Sequence, residues 1–189
     1  MKNCDRFLAA VKIAGCILSW LLFCSMITQC ERNRALAEGN DVEFSIVQAG
    51  SHDAAAEYYS DDAGNVVFGV SNFSFDAPLL LSSPVSGTSV NLLDLSVDLS
   101  DNEPLAAKKV YRGGDGLADL NITVSYQVEG SDETFTARLE DAVLKISLLS
   151  DRYATGIFSG AFAADLTGDG PGTVAYNIDD GYFNIPVGK

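Results

Sequence analysis

Residues 133–187, ETFTARLEDAVLKISLLSDRYATGIFSGAFAADLTGDGPGTVAYNIDDGYFNIPV, decide the fold. Apolar and polar side chains alternate through this stretch in short runs. Phe135, Ala137 and Leu139, for example, are separated by single polar residues. Alternation with a period of two predicts β-strands, because successive side chains of a strand point to opposite faces of its sheet. The turns between runs are close, so we expect neighbours in sequence to pair antiparallel as a meander.

Three interruptions of the alternation carry further predictions. Residues 140–141 (Glu-Asp) shift its phase, which predicts a β-bulge or a tight turn. Gly156 and Gly160 lie inside an apolar run, where glycine weakens a strand unless backbone or a bulky neighbour must come close. Residues 180–181 (Asp-Gly) stand between two alternating runs, which favours a hairpin turn.

Upstream of this stretch, the same alternation predicts strands around residues 42–46, 93–99 and 120–128. Residues 51–57 are small and polar, which predicts a loop or a weak helical turn. The strands of this half of the chain are therefore expected to be separated by irregular segments.

Three other segments are expected to interrupt the sheets. A change of phase between residues 66–70 and 73–75 predicts a bulge near residues 71–72. Residues 77–87 hold two prolines, which cannot donate to a central ladder and therefore predict an edge segment or a connection. Residues 101–116 are polar and rich in glycine near their end, which predicts a long connection.

These signals together predict an all-β fold, an antiparallel sandwich or barrel of about eight to ten strands. No internal repeat or low-complexity linker divides residues 38–189, so we expect one domain there. Residues 1–37 precede it as an N-terminal signal peptide or membrane-anchor helix.

The N-terminal segment has a basic start followed by an uncharged, mostly apolar run over residues 13–28. This arrangement is typical of a secretory signal. Three outcomes fit it: cleavage after Ala37, lipidation at Cys30 in a segment that resembles a lipoprotein box, or retention as an anchor. All three predict an exported domain, periplasmic, in the cell envelope or extracellular, that meets the membrane only through this segment.

The charge of the chain excludes one class of partner. The chain has 26 acidic and 12 basic residues, and residues 1–37 hold 2 and 5 of them. Residues 38–189 therefore carry 24 acidic and 7 basic residues, a net charge of −17. Such a surface repels phosphate backbones, so we expect no nucleic-acid partner.

The cysteines restrict the chemistry. All four lie within the first 30 residues, so the domain has no disulfide framework. With His52 as the one histidine, zinc and copper sites of the usual nitrogen and sulfur type are excluded.

The segment from Asp165 to Gly170, DLTGDG, resembles the first half of a calcium-binding loop of the EF-hand type. The resemblance implies oxygen ligands from Asp165, Thr167 and Asp169. The second half departs from that family, because Tyr176 occupies the position of its bidentate acid. A polar hairpin loop explains the same residues by turn geometry alone. We therefore expect no obligatory cofactor, with calcium as the alternative.

Sugar stacking would have to use tyrosine, because the one tryptophan, Trp20, lies in the N-terminal segment. Packing in the core or at a sheet edge is the other interpretation of each tyrosine. The candidates are Tyr58, Tyr59, Tyr153 and Tyr182.

The last quarter of the chain carries a family resemblance. Residues 156–160 (GIFSG) and 177–186 (NIDDGYFNIP) resemble the closing hairpins of small bacterial exported β-domains, many of them lipoproteins. The resemblance implies an all-β exported domain that ends on a core strand, and it implies no catalytic residue.

The function we expect from the sequence is that of a non-catalytic exported β-domain with a structural, adhesive or ligand-holding role at the cell envelope. Its partner would be a surface component or a small ligand. One alternative is a calcium-dependent carbohydrate or surface binder. Another is a hydrolase that uses an acid pair, which the sequence does not locate.

Overall fold

The computed structural model describes residues 39–51, 54–84, 89–113, 118–166 and 172–187. These residues form twelve strands and no helix, and so include no helix able to cross a membrane. The strands are β1 (Asp41–Gln48), β2 (Ala54–Ser60), β3 (Gly64–Phe68), β4 (Asn72–Pro78), β5 (Leu80–Pro84), β6 (Val90–Asp101), β7 (Val110–Arg112), β8 (Ala118–Val128), β9 (Thr134–Arg138), β10 (Glu140–Leu149), β11 (Tyr153–Asp165) and β12 (Thr173–Pro186).

The strands form two antiparallel sheets. The large sheet has seven strands in the order β5-β2-β1-β12-β11-β10-β7, and the small sheet has five in the order β3-β4-β6-β8-β9. The predicted all-β antiparallel class is confirmed, and two such sheets are consistent with a sandwich. The strand number exceeds the expected eight to ten. The predicted signal or anchor helix in residues 1–37 lies outside the described residues.

The core joins the inner faces of the two sheets through aromatic side chains. The Phe183 ring of the large sheet lies 5.7 Å from that of Phe73 and 5.6 Å from that of Phe75, both in the small sheet. All three side chains are buried. Aromatic pairs at this separation stabilise a core beyond the area they bury.

Two tyrosine hydroxyls also join the sheets. The Tyr58 hydroxyl of the large sheet accepts a hydrogen bond from the Leu92 N–H at 3.1 Å and donates to the Val90 carbonyl at 3.4 Å, both in β6. The Tyr126 hydroxyl of the small sheet accepts from the Asp165 N–H at the end of β11, at 3.0 Å. Each sheet therefore contributes one tyrosine whose hydroxyl is hydrogen-bonded to the backbone of the other sheet.

The phase shift at residues 140–141 marks the point where the chain changes sheet. The Leu139 N–H still donates to the Ile122 carbonyl of β8, whereas Glu140 already pairs with Ala161 of β11. The predicted bulge is confirmed by the register shift that follows Glu140. The meander is confirmed for β10, β11 and β12, but it is wrong for β9 and β10, which belong to different sheets.

The hairpin turn predicted at residues 180–181 is wrong, because β12 continues through it to Pro186. Gly181 pairs with Phe158 of β11, and a Cβ on this glycine would lie 2.6 Å from the Phe158 ring. Gly156 stands in the same relation to the Phe183 ring, at 2.5 Å. Both glycines make room for phenylalanine rings, and Gly156 also makes room for the Lys145 carbonyl, so it meets the condition under which a strand tolerates glycine.

Three further predictions need correction. The segment 51–57 is not wholly loop, because β2 starts within it and buries Ala56, a side chain too small to give a strong apolar signal. The phase change near residues 71–72 is a turn between β3 and β4, closed by a hydrogen bond from the Gly69 N–H to the Asn72 carbonyl. The polar connection 101–116 contains β7, which has only three residues.

Candidate ligand-binding face

One row of outward-facing residues crosses all seven strands of the large sheet. Their chain neighbours Phe44, Tyr58 and Phe183 point inward and are buried, so the alternation of each strand turns the row towards solvent. We call these residues the tyrosine row. In strand order they are Leu80, Tyr59, Glu43, Tyr182, Ile157, Lys145 and Val110.

The row concentrates the exposed apolar surface of the described residues. Four of their eight exposed large apolar side chains belong to it: Leu80 (52% exposed), Ile157 (49%), Val110 (43%) and Tyr59 (37%). Single exposed apolar residues are ordinary on a protein surface, so it is their collection on one sheet face, with Leu80 and Tyr59 as a direct cross-strand pair, that distinguishes this surface. The outer face of the large sheet is therefore the strongest candidate surface.

An open depression of about 580 Å³ lies at the β5 end of the row. Tyr59 and Tyr182 stand on either side of Glu43, each paired with it across one strand interval. The two tyrosines are thus about 10 Å apart, since two strand spacings separate them. We call this the tyrosine–acid depression. Its outward-facing lining consists of Glu43, Ser45, Glu57, Tyr59, Ser82, Asp180 and Tyr182.

The depression has a negative electrostatic character. In the part of the chain that the structure describes, its lining holds three carboxylates, Glu43, Glu57 and Asp180, and no lysine, arginine or histidine. The nearest cation along the row, Lys145, stands two strands beyond Tyr182, at roughly 10 Å. Hydroxyls, carboxylates and aromatic faces are therefore the groups that a ligand would meet.

A second cavity, of about 330 Å³, lies where β2 and β5 of the large sheet approach β6 and β8 of the small sheet. The Tyr58 side chain forms part of its wall, and its hydroxyl is already bonded to β6. Burial raises the pKa of Tyr58, so this hydroxyl stays protonated at neutral pH. The polar rim residues of the cavity are Ser89, Asn91, Gln127, Glu129 and Ser131.

The predicted calcium ligands fall at the limit of the described chain. Asp165 is the last residue of β11, half-buried, and its N–H donates to Tyr126. Thr167 and Asp169 lie outside the described residues. Within the described ranges, no group of three or more histidine, cysteine or acidic side chains could hold a metal ion. The calcium loop stays a prediction.

The four candidate tyrosines take three different positions. Tyr58 packs in the core, as one interpretation of the sequence predicted. Tyr59 and Tyr182 face outward in one row, whereas Tyr153 starts β11 opposite Pro186. Sequence reasoning missed Glu43 as their common neighbour, because the three residues come together only when β1 lies between β2 and β12.

Comparison with known proteins gives no similarity to argue from: no protein-family model, curated protein or solved structure matches this chain.

Proposed function

We propose that this domain is a non-catalytic, exported binding domain that holds an extended carbohydrate on the outer face of its seven-stranded sheet. The observation that carries the proposal is the pairing of Tyr59 and Tyr182 on either side of Glu43, within an open depression. Export rests on the basic and apolar N-terminal segment of the sequence.

The chemistry of the depression suits sugar rings. A tyrosine side chain offers a large apolar face and a polar tip, which suit the apolar face of a pyranose and its hydroxyl groups. Carboxylates such as Glu43 and Glu57 accept hydrogen bonds from sugar hydroxyls. Two rings about 10 Å apart can each contact a separate sugar unit of one chain. An open surface fits a polymer better than a small molecule, which a protein usually encloses.

The experiment compares retardation of the purified protein in native gels cast with different neutral polysaccharides. We expect at least one polysaccharide to retard the wild type, and the double variant Tyr59→Ala/Tyr182→Ala to migrate as in a gel without polysaccharide. The matched control is Val67→Ala, which removes an exposed apolar side chain from β3 of the small sheet. Equal retardation of all three proteins would contradict the proposed face.

A second candidate function is glycoside hydrolysis, favoured by the positions of Glu43 and Glu57. Glu43 pairs with Tyr59 and Ser45 pairs with Glu57, so the two glutamates are diagonal neighbours on one face. The Cα atoms of diagonal neighbours lie about 7–8 Å apart, and their carboxyl groups can reach the roughly 5–9.5 Å separation used by glycosidases. Release of reducing sugar that Glu43→Gln and Glu57→Gln both abolish would establish catalysis. Binding without release supports the non-catalytic proposal.

The calcium-dependent alternative is tested separately, by thermal melts with calcium and with a chelator. If Asp165, Thr167 and Asp169 hold calcium, the melting temperature rises with calcium and falls with a chelator. An unchanged midpoint removes this alternative and leaves the tyrosine–acid depression as the binding site.

A further inference from the structure

We propose that the carbohydrate held by the tyrosine–acid depression is cationic: a polymer of amino sugars with free, protonated amino groups. This inference rests on the proposed function and names its substrate class. The juxtaposition that carries it is three carboxylates and two tyrosine side chains in one depression, with no basic residue among the described residues that line it.

The negative charge of the depression favours a cationic ligand. Glu43, Glu57 and Asp180 come from three different strands, and no described lysine, arginine or histidine lines the depression to neutralise them. An anionic glycan placed there would be repelled by all three. A neutral glycan would gain hydrogen bonds but would leave the three charges unpaired. A protonated amino sugar satisfies both the charges and the stacking surfaces.

The two tyrosine rings of the depression also favour a cationic ligand. An ammonium group over the face of a tyrosine is attracted by the negative potential of the ring. Because Glu43 lies between Tyr59 and Tyr182, an amino group on a sugar stacked at either ring stands next to a carboxylate. Each sugar unit could therefore make a ring contact and a charge contact together.

The remainder of the row limits the ligand to this part of the sheet. Lys145 of the row, and Arg112 two residues along β7 from Val110, supply positive charge at its opposite end. Ile157, half-exposed on β11, separates the two charged regions. A cationic chain therefore finds its favourable surface on β5, β2, β1 and β12, and an anionic chain would be drawn to the other end.

The test measures binding of three glucosamine oligomers of equal length by titration calorimetry: N-acetylated and neutral, free-amine, and N-trimethylated with permanent charge. We expect the two cationic oligomers to bind at least about tenfold more tightly than the neutral one, with affinity that falls as salt increases. The triple variant Glu43→Gln/Glu57→Gln/Asp180→Asn should abolish the difference between the oligomers. The control variant Asp98→Asn/Glu133→Gln/Asp151→Asn removes three exposed carboxylates elsewhere and should keep it.

Several outcomes would overturn the inference. Equal affinity for neutral and cationic oligomers removes the cationic class while leaving a carbohydrate-binding face in place. If the triple and control variants lose the preference for cationic oligomers equally, the net charge of the protein alone explains that preference. Binding of a lysine-rich peptide with the same affinity and the same loss in the triple variant would replace the sugar by a basic peptide. If no oligomer binds, and Tyr59→Ala/Tyr182→Ala changes the binding of no neutral polysaccharide, the proposed function falls as well.

Discussion

Gly181 in β12 and Phe158 in β11 form a cross-strand pair in which the phenylalanine ring occupies the space that a side chain at residue 181 would need. The added Cβ would lie 2.6 Å from two ring carbons of Phe158, which is closer than real Cβ contacts allow. Both residues are buried, so the ring has little room to move aside.

The first prediction concerns Gly181→Ala. It should destabilise the domain by about 1–3 kcal/mol, because overpacking a dense core forces side chains from their preferred rotamers. Urea unfolding measures the change. Gly64→Ala is the matched control, since a Cβ there meets nothing within 4 Å. Adding Phe158→Leu should recover part of the loss. Equal stabilities for both glycine variants would contradict the close packing of Gly181.

The second prediction concerns the hydroxyl of Tyr58. Tyr58→Phe removes the acceptor of the Leu92 N–H and the donor to the Val90 carbonyl. Leaving a buried backbone group without its partner costs about 1–3 kcal/mol, a fall of roughly 2–12 °C in melting temperature. Tyr59→Phe alters the neighbouring residue of the same strand, which faces solvent, and should leave the melting temperature within about 1 °C. Similar melting temperatures for both variants would contradict the link between the sheets.

The third prediction concerns Lys109, whose ammonium lies 2.6 Å from a carboxylate oxygen of Asp101 and 5.2 Å from the centre of the Tyr111 ring. The Asp101 side chain is only 4% exposed, and the hydrogen bond from Lys109 lowers its pKa. A carboxyl with a lowered pKa stabilises the fold above its unfolded pKa, and the stabilisation is lost as pH falls through the folded value.

Lys109→Met should therefore lower the melting temperature by a few degrees at neutral pH, and the gap from wild type should close under acid conditions. Lys108→Met, which removes an exposed charge next in the chain, should change little. Thermal melts across the acid range measure both. A gap that is constant with pH would show that packing, rather than the ion pair, carries the effect.

The fourth prediction concerns Asp94 on the outer face of the small sheet. Burial raises its pKa, and the nearby carboxylate of Asp76 raises it further. One of its oxygens, Oδ1, is buried without a hydrogen-bond partner. The folded protein then holds a proton on Asp94 more tightly than the unfolded chain. The free energy of unfolding consequently falls as pH rises from the unfolded pKa to the raised folded value.

Asp94→Asn should raise the melting temperature by a few degrees at neutral pH, because it removes this unfavourable charge, and should have no such effect below the unfolded pKa. Asp98→Asn, at an exposed position on the same strand, is the control. A gain that is as large at low pH as at neutral pH would exclude the charge as its cause.

Alternation of side chains predicted strands such as β1 and β8 well, because each buries one face and turns the other towards solvent in regular order. Phe44 and Tyr126, for example, take buried positions on those strands. The alternation failed where the space available to a side chain, rather than its polarity, determines which residue fits. Asp180 and Gly181 together predicted a turn, but β12 continues through them. Gly181 has no side chain, and this leaves room for the ring of Phe158.

The sequence also did not predict the change of sheet after Leu139, because a bulge and a change of sheet shift the alternation in the same way. The candidate site shows the same limit. Tyr59 and Tyr182 were among the tyrosines that could stack on sugars, but they stand 123 residues apart. Only the placement of β1 between β2 and β12 makes them, with Glu43, a single surface.

The most direct test of the account is a nuclear magnetic resonance titration of the isotope-labelled protein with the tightest-binding carbohydrate. We predict that the amide shifts which change follow the tyrosine row at Tyr59, Glu43 and Tyr182, while amides of the small sheet such as Thr123 stay unchanged. Shifts confined to the cavity near Ser89 and Ser131, or to the outer face of the small sheet, would contradict the proposed binding face.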